Sequence, residues 1–447
     1  MSDTPKSGAG VITMLSVMMF LQFFLWGAWF VTLGPFMGAL GFDSVAIGNA
    51  YTTAPIAAII SPFFLGIIAD RFFPSQVVMG VLHIVGGGLL FLAPGLAGDG
   101  SGSAWPFIIV LLAHMLCYMP TLGLSNAVAF HAMHNPEKQF PIVRVWGTIG
   151  WIVAGFLVGW LMANRANTEG LDAAAAEQAR AQVPVFFYIA GGSGVLLGVF
   201  SFLLPNTPAP GKGKPASLGS IVGTDSLKLL KDRSFAVFIV CSLLICIPLA
   251  AYYQQAANFA TATGVQNVPI KMTFGQMSEI VFMLVMPLFF VRLGVKWMLA
   301  VGMLAWVVRY ALFGLAWDAS PAAEHVIWMV LGGIILHGIC YDFFFVTGQI
   351  YTERRAPKEV RAQAQGFLVL VTQGVGMFIG NQVFGRLIAR YTTDGAVDWR
   401  TVWMIPAGFA LAVLVVFVLL FKGRGGAAAP MEASELESAE PAGSGAV

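Results

Sequence analysis

Long apolar segments separated by short polar ones run along almost the whole chain. Each is roughly 20 residues or longer, which is enough to cross a bilayer as a helix. A backbone in hydrocarbon must satisfy its own hydrogen bonds, and a helix does so within one segment. The pattern predicts an all-α membrane protein with twelve transmembrane helices. The predicted spans are residues 11–39, 45–70, 76–97, 104–132, 141–164, 183–204, 234–262, 269–292, 296–317, 324–353, 360–389 and 399–421.

The polar breaks divide the chain into two halves. The longest interior break, residues 205–233, contains Pro, Gly and Lys and is predicted to be a cytoplasmic linker. It separates a first six-helix bundle at 11–204 from a second at 234–421. The first apolar segment is too long for a signal sequence and is therefore predicted to be the first span. Residues 1–10 before it are polar and are expected to form a cytoplasmic lead. The tail at 422–447 is poor in bulky apolar residues and is expected to be disordered.

Composition and charge agree with a membrane protein. Of 447 residues, 58% are hydrophobic and only 10% are charged, whereas soluble proteins carry about 25% charged residues. The net charge of +2 comes from basic residues scattered at helix ends, which argues against a nucleic-acid partner. The four cysteines lie in apolar segments, so neither a disulfide framework nor a metal site is expected.

The distribution of Lys and Arg predicts the orientation. These residues are concentrated in the loops that lie on the same side of the membrane as both termini. Basic loops stay in the cytoplasm. We therefore expect a multi-pass protein of the inner membrane with both termini cytoplasmic.

The two halves repeat short motifs in register. His114-Met-Leu-Cys-Tyr in the fourth span is echoed by His337-Gly-Ile-Cys-Tyr in the tenth. Pro62-Phe-Phe in the second span is echoed by Pro287-Leu-Phe in the eighth. Parallel repeats of this kind place a substrate site between the halves, near the middle of the bilayer.

Two carboxyl groups inside predicted spans are candidates for proton coupling. Asp342 lies midway along the tenth span and Glu279 lies on the eighth. Ionisable residues within a membrane are costly and are usually functional. A carboxyl group removed from water also retains its proton more readily, as a proton carrier requires. The alternative for Asp342 is a permanent pair with an intramembrane arginine.

Polar residues on two other helix faces are candidates for substrate contact. Gln276 shares a face with Glu279 and adds an amide to its carboxylate; the alternative is a hydrogen bond that only joins helices. Arg144, Thr148 and Trp151 form one stripe of the fifth span. Such a cation, hydroxyl and flat ring suit the binding and stacking of a heterocycle. Arg144 could instead extend to the membrane surface.

One further arginine lies within a predicted span. Arg309 lies in the ninth span between Val308 and Tyr310. An unpaired arginine in that environment is costly, so Arg309 requires a partner. We expect a structural salt bridge; the alternative is contact with the substrate.

Gly66-Ile-Ile-Ala-Asp70-Arg71 at the end of the second span resembles the first part of the Gly-x-x-x-Asp-Arg-x-Gly-Arg signature of the major facilitator superfamily. In that superfamily the carboxylate and the basic residue fasten the cytoplasmic ends of helices. The resemblance therefore implies a cytoplasmic gate at Asp70 and Arg71, and two six-helix bundles around a central cavity. The chain departs from the signature after Arg71, where Phe72-Phe-Pro follows.

Longer stretches of the chain resemble the nucleoside:proton symporter family. They are Phe20-Leu-Gln-Phe-Phe-Leu-Trp-Gly-Ala-Trp, Tyr118-Met-Pro-Thr-Leu-Gly-Leu-Ser-Asn, Arg144-Val-Trp-Gly-Thr-Ile-Gly-Trp, Gln276-Met-Ser-Glu and Tyr341-Asp-Phe-Phe. The resemblance implies proton-coupled uptake of nucleosides by alternating access, with Asp342 and Glu279 coupling the proton. The implied substrate-binding residues are Arg144, Thr148, Trp151, Gln276, Glu279, His337, Tyr341 and Asp342.

The chain departs from that family at two places. On the seventh span, family members contribute amide side chains at positions that hold Ala250 and Tyr253 here. Gln254, Gln255 and Asn258 follow, but they project at other angles. His337 replaces a tyrosine of the better-known members, and it is either a packing residue or part of a proton path. We expect the coupling residues to be retained and the base selectivity to differ.

These observations predict a transporter driven by the proton gradient, without a cofactor. Its partners are expected to be a nucleoside, a proton and the lipid bilayer, and the chain is expected to act as a monomer. One alternative is a carrier or facilitator of another small polar solute, such as a sugar. A receptor that transports nothing is a second alternative. A membrane enzyme is disfavoured, since the sequence shows no convergent nucleophile, base or metal set.

Overall fold

The computed structural model describes residues 8–64, 72–134, 136–209, 224–317, 323–357 and 361–422. These residues are almost entirely helical. The helices, numbered α1 to α16 in chain order, are Ala9–Trp29, Leu33–Ala39, Ser44–Phe64, Ser75–Ala97, Trp105–Ala132, Pro136–Arg165, Ala173–Ala181, Val185–Ser201, Arg233–Ala262, Val268–Ala316, Glu324–Ile335, His337–Cys340, Thr347–Arg355, Arg361–Val369, Met377–Arg390 and Trp399–Leu420. A 3-10 helix covers Thr224–Lys231, and π-helical segments cover Tyr341–Val346 and Leu370–Gly376. Thr392–Thr393 pairs with Ala396–Val397 in a short antiparallel hairpin.

The helices are long and apolar enough for a multi-pass membrane protein. Ten stretches of the described chain meet the length and hydropathy required to cross a membrane. Helix α3, Ser44–Phe64, adds a further 21 residues of helix. Helix α10 is 49 residues long, but Gly294 within it has a φ of 64°. This left-handed conformation interrupts a right-handed helix and favours glycine, so α10 consists of two arms, 268–293 and 295–316.

Several predicted spans contain breaks that the apolar pattern does not show. The first span divides into α1 and α2, and the hydroxyl of Tyr51 satisfies backbone groups at the break. It donates to the carbonyl of Phe30 (2.9 Å) and accepts from the N–H of Gly34 (3.1 Å). The tenth and eleventh spans each contain a π-helical segment, a feature that is frequent at functional sites. The segment Tyr341–Val346 includes Asp342.

A short helix also lies where the sequence predicted only a loop. Helix α7, Ala173–Ala181, connects the fifth and sixth predicted spans. Its N-cap is Asp172, whose side chain accepts a hydrogen bond from the N–H of Ala175 (2.8 Å). One face of the helix is buried and includes Glu177, while the other face is exposed.

The buried apolar side chains form separate cores in the two halves of the chain. The clusters of the first half draw their buried members from residues 15–204, and those of the second half from residues 229–421. Two partly buried residues pack across: Val31 against the second core and Tyr253 against the first. Each half therefore has its own core, and the boundary between the halves passes through these side chains.

The halves are joined closely at one end of the helices, next to residues 40–43, 166–184 and 263–267. We call this the closed end. Glycines bring backbones together there: a Cβ on Gly34 would lie 2.9 Å from the carbonyl oxygen of Gln254. Gln382 donates through Nε2 to Asn49 Oδ1 and Thr52 Oγ1, both at 2.9 Å. These contacts connect helices of opposite halves.

Candidate functional site

Two adjoining cavities lie on the boundary between the halves, towards the closed end. The first is lined by Gly27, Val31, Thr32, Trp151, Gly155 and Val158 of the first half and by Pro269, Met272, Thr273 and Gln276 of the second. The second is lined by Phe30, Val31, Trp151, Tyr252, Tyr253, Ala257, Met272 and Gln276. Val31, Trp151, Met272 and Gln276 line both, so the two cavities share one wall.

Trp151 is held in this shared wall by close packing against α1. A Cβ on Gly27 would lie 2.8 Å from Trp151 Cγ, so only a glycine leaves room for the ring. The indole of Trp26 meets that of Trp151 edge to face, with the ring centres 5.6 Å apart. The predicted aromatic surface of the fifth span is therefore positioned at the cavity.

Arg144 and Thr148 belong to the same helix stripe but line neither of these two cavities. The guanidinium carbon of Arg144 lies 4.1 Å from the centre of the Phe23 ring, so this cation packs on α1. Its charge still interacts electrostatically with Glu279 and Tyr341 across the boundary. Thr148 is half-buried.

Gln276 offers a free hydrogen-bonding group to the cavities. Its Oε1 atom is buried and has no hydrogen-bond partner among the described residues. A buried polar atom without a partner is unfavourable, and it indicates a place where water or a ligand binds. Glu279 lies three residues further along α10, is 8% exposed, and forms no ion pair within the described chain.

Asp342 is completely buried and has no basic partner among the described residues. Its exposure is 0%, and neither carboxyl oxygen has a hydrogen-bond partner among the described residues. Glu279 interacts with it electrostatically. The alternative of a permanent arginine pair does not hold in the described structure. Asp342 lines neither cavity directly.

The expectation that Arg309 forms a salt bridge is wrong for the described residues. Arg309 is 0% exposed, and none of its three guanidinium nitrogens has a hydrogen-bond partner there. The guanidinium carbon instead lies 4.0 Å from the centre of the Tyr252 ring. A cation over an aromatic face is stabilised by the ring quadrupole. The expectation failed because it considered only carboxylates as partners.

The aromatic rings behind the cavity wall form a continuous cluster. His337 stacks on Tyr252 with ring centres 5.3 Å apart and meets Tyr253 edge to face at 6.1 Å. Tyr341 lies 6.0 Å from His337. The structure therefore brings His337, Tyr341 and Tyr253 together. Our sequence reasoning missed Tyr252 and Phe30, although the Tyr252-Tyr253 pair was visible in the seventh span.

The two altered positions of the seventh span have different surroundings. Tyr253 lines the second cavity. Ala250 is fully buried against α15, where a Cβ on Gly380 would lie 2.5 Å from its own. Gln254 donates to the carbonyl of Asn381 (3.2 Å) and Asn258 donates to Gln255 (3.0 Å), so both amides belong to the closed end. Only Tyr253 of these residues lines a cavity described above.

The predicted cytoplasmic gate and the possibility of a metal site concern regions away from these cavities. Asp70 and Arg71, the predicted cytoplasmic gate, lie outside the described residues. Within residues 8–422, excluding the gaps given above, no three His, Cys, Asp or Glu side chains lie close enough together to hold a metal ion.

Comparison with known proteins identifies close similarity over nearly the whole chain. A family model described as nucleoside H+ symporter matches residues 10–425. YegT of Escherichia coli (strain K12) is 38% identical over 415 residues, covering 91% of this chain and 93% of YegT. The nucleoside permease NupG of the same organism is 31% identical, covering 91% and 95%. A xanthosine permease of that organism is also 31% identical with the same coverage.

The fold is similar to a solved structure as well. The crystal structure of the nucleoside transporter NupG superposes with a TM-score of 0.78 at 30% sequence identity, covering 93% of this chain and 100% of that one. A single-residue variant of the same transporter superposes with a TM-score of 0.81.

Proposed function

The chain belongs to the nucleoside H+ symporter family of the major facilitator superfamily, as its resemblance predicted, and we propose that it carries nucleosides across the membrane together with protons, by alternating access. Members of the family are transporters. The proposal assigns no enzymatic activity and no organic cofactor, because the proton gradient supplies the free energy.

The observation that carries this proposal is a cavity lined by aromatic rings and an amide, combined with two buried carboxyl groups that form no ion pair among the described residues. Trp151 and Tyr253 present ring faces or edges on which a nucleobase can stack. Gln276 adds an unsatisfied amide oxygen that suits a base N–H or a ribose hydroxyl. The cavity lies between the two halves, where a transporter with parallel repeats binds its substrate.

The carboxyl groups of Asp342 and Glu279 would carry the proton. A buried carboxylate without a cationic partner is strongly disfavoured. Protonation from outside therefore favours the occluded, loaded carrier, and release of the proton to the cytoplasm accompanies release of the nucleoside. Arg144 acts electrostatically on Glu279 from the opposite half, so movement of the halves changes the electrostatic field at Glu279.

We propose twelve spans in this arrangement. They are the ten stretches above, with α3 added and α10 counted as two spans on either side of Gly294. The spans form a bundle at 11–204 and a bundle at 234–421, joined by a cytoplasmic linker at 205–233. Asp70 and Arg71 would close the cytoplasmic side in the other state of the cycle. The protein acts as a monomer in the inner membrane.

The orientation of the termini then defines the state of the structure. With both termini cytoplasmic, as the basic loops indicate, the closed end faces outward. The halves are packed together there through Gly34 and Gln382. The structure therefore corresponds to a carrier that is shut towards the outside.

Transport by purified protein in liposomes tests the proposal. Labelled uridine and adenosine are offered with an inward proton gradient, without a gradient, and with a proton ionophore; maltose serves as a control solute. We expect nucleoside to accumulate only with the gradient. Uptake that does not respond to the gradient would contradict symport, and uptake of maltose but not of nucleosides would contradict the substrate class.

A further inference from the structure

Glu177 forms a hydrogen-bonded link between the two halves at the closed end. It lies on α7 of the first half and is 3% exposed. Its Oε2 accepts from the N–H of Asn267 and its Oε1 from the N–H of Val268, both at 2.9 Å. Arg180, one turn further along α7, donates to Oε2 at 2.9 Å. One carboxylate thus has partners on both sides of the boundary.

The two N–H groups come from the start of a helix in the other half. The first N–H groups of a helix have no partner within it, and the helix dipole makes that end positive. Asn267, the residue before α10, has a φ of 53°. In this conformation its own N–H and that of Val268 both reach the Glu177 carboxylate. Charge-assisted bonds of this kind are stronger than those between neutral groups.

The same boundary is packed tightly a few residues away. The adjoining helix α6 places Gly155 against the methyl group of Thr273 and Gly159 against Ile270, where a Cβ on Gly159 would lie 2.6 Å from Ile270 Cγ1. When the halves separate at this end, Glu177 must exchange both N–H donors for water at the same time. The link therefore favours the closed arrangement over one that opens there.

We propose that Glu177 is the residue that latches the outer side of the transporter shut, and that breaking its bonds to the start of α10 is a step in opening the site to the outside. This rests on the alternating-access function and the orientation proposed above. Arg180 is a positioning residue, since it holds the carboxylate from the same helix without crossing the boundary.

Accessibility of the boundary from outside tests the latch. Thr273, 2% exposed and lining the first cavity, is replaced by cysteine, and intact cells are treated with a thiol reagent that does not cross membranes. The same chain without that substitution gives the background from the four natural cysteines. Labelling is then compared for Glu177→Gln, Arg180→Gln and Glu169→Gln. Glu169 is the matched control, an exposed carboxylate in the same connection.

We expect Glu177→Gln to raise the labelling rate about tenfold, the effect of losing one charge-assisted hydrogen bond. Arg180→Gln should give a smaller increase, because the carboxylate keeps both backbone donors. Glu169→Gln should label like the parent. An unchanged rate for Glu177→Gln, in protein that remains monodisperse after purification, would overturn the latch.

The outcome is separable from that of the proposed function, because labelling requires no nucleoside. A parent protein that carries no nucleoside, combined with faster labelling of Glu177→Gln, would contradict the substrate and support the latch. Nucleoside uptake by the parent with unchanged labelling of Glu177→Gln would contradict the latch alone.

Discussion

Arg309 lies over the ring of Tyr252, with its guanidinium carbon 4.0 Å from the ring centre. Tyr252 in turn stacks on His337 and lines the second cavity. A positive charge is thereby held in the interior of the second half without a carboxylate among the described residues. Arg309 therefore contacts the aromatic wall of the site through a cation–π interaction with Tyr252 and not through an ion pair.

This arrangement predicts a mild effect of Arg309→Met. Loss of the cation over the ring costs about 2 kcal/mol, but the substitution also removes the unfavourable burial of a charge. Had Arg309 been paired with a carboxylate, its removal would cost about 3–5 kcal/mol. We expect the thermal unfolding midpoint in detergent to change by only a few degrees. Arg180→Met, which breaks an ion pair whose carboxylate keeps two backbone donors, is a mild reference; a loss of about 3–5 kcal/mol for Arg309→Met would contradict the arrangement without a carboxylate.

Asp342→Asn should abolish accumulation of nucleoside driven by a proton gradient. Asparagine has the same shape but cannot bind and release a proton, so exchange of nucleoside across the membrane should persist. Uptake and exchange in liposomes measure the two activities. Asp99→Asn is the control: Asp99 is an exposed loop carboxylate that is ionised at neutral pH, and hydrogen bonds from the side chain and backbone of Ser101 lower its pKa further. Normal accumulation by Asp342→Asn would remove Asp342 from the coupling mechanism.

Gln276→Ala should weaken nucleoside binding about tenfold, since one hydrogen bond to the ligand is lost. Calorimetric titration or ligand-induced thermal stabilisation of the purified protein measures this. The neighbouring Met277 is 37% exposed and lines neither cavity, so Met277→Ala should bind like the parent. Equal affinities of the two variants would show that Gln276 only joins helices.

Gly155→Ala should slow transport, because the added methyl meets the side-chain methyl of Thr273 at the boundary. Thr273→Ser removes that methyl while keeping the hydroxyl, which donates to the carbonyl of Ile270 (2.7 Å). The double variant should therefore recover a large part of the rate. Initial uptake rates of the four proteins form a double-mutant cycle. Strictly additive effects would place the defect elsewhere.

The apolar pattern predicted most of the helix boundaries well. The third predicted span, 76–97, appears as Ser75–Ala97, and the last, 399–421, as Trp399–Leu420. The predicted break between 292 and 296 coincides with Gly294 and its positive φ. These features are accessible without a structure, because bilayer thickness and backbone hydrogen bonding act on each segment independently.

The candidate site was only partly accessible in this way. Trp151 and Gln276 could be named because they are polar or aromatic residues on definable helix faces, and they line the cavities. Ala250 and Tyr253 are three residues apart on one helix, so the sequence gives both the same chance of facing the cavity. In the structure, Tyr253 lines the cavity and Ala250 packs on Gly380. Whether a residue faces a cavity depends on where the neighbouring helix lies.

The sequence by itself determined the membrane class and the intramembrane carboxyl groups, since each follows from residue type and local spacing, and its resemblance to known sequences indicated the family. Only the tertiary structure decided that Arg309 rests on Tyr252 and that Glu177 binds the start of a helix some 90 positions away. Such contacts join segments whose separation in the chain carries no information about their distance in space. They arise from the packing of helices against one another. Apolar periodicity shows which face of a helix is buried, but it does not show which other helix packs on that face.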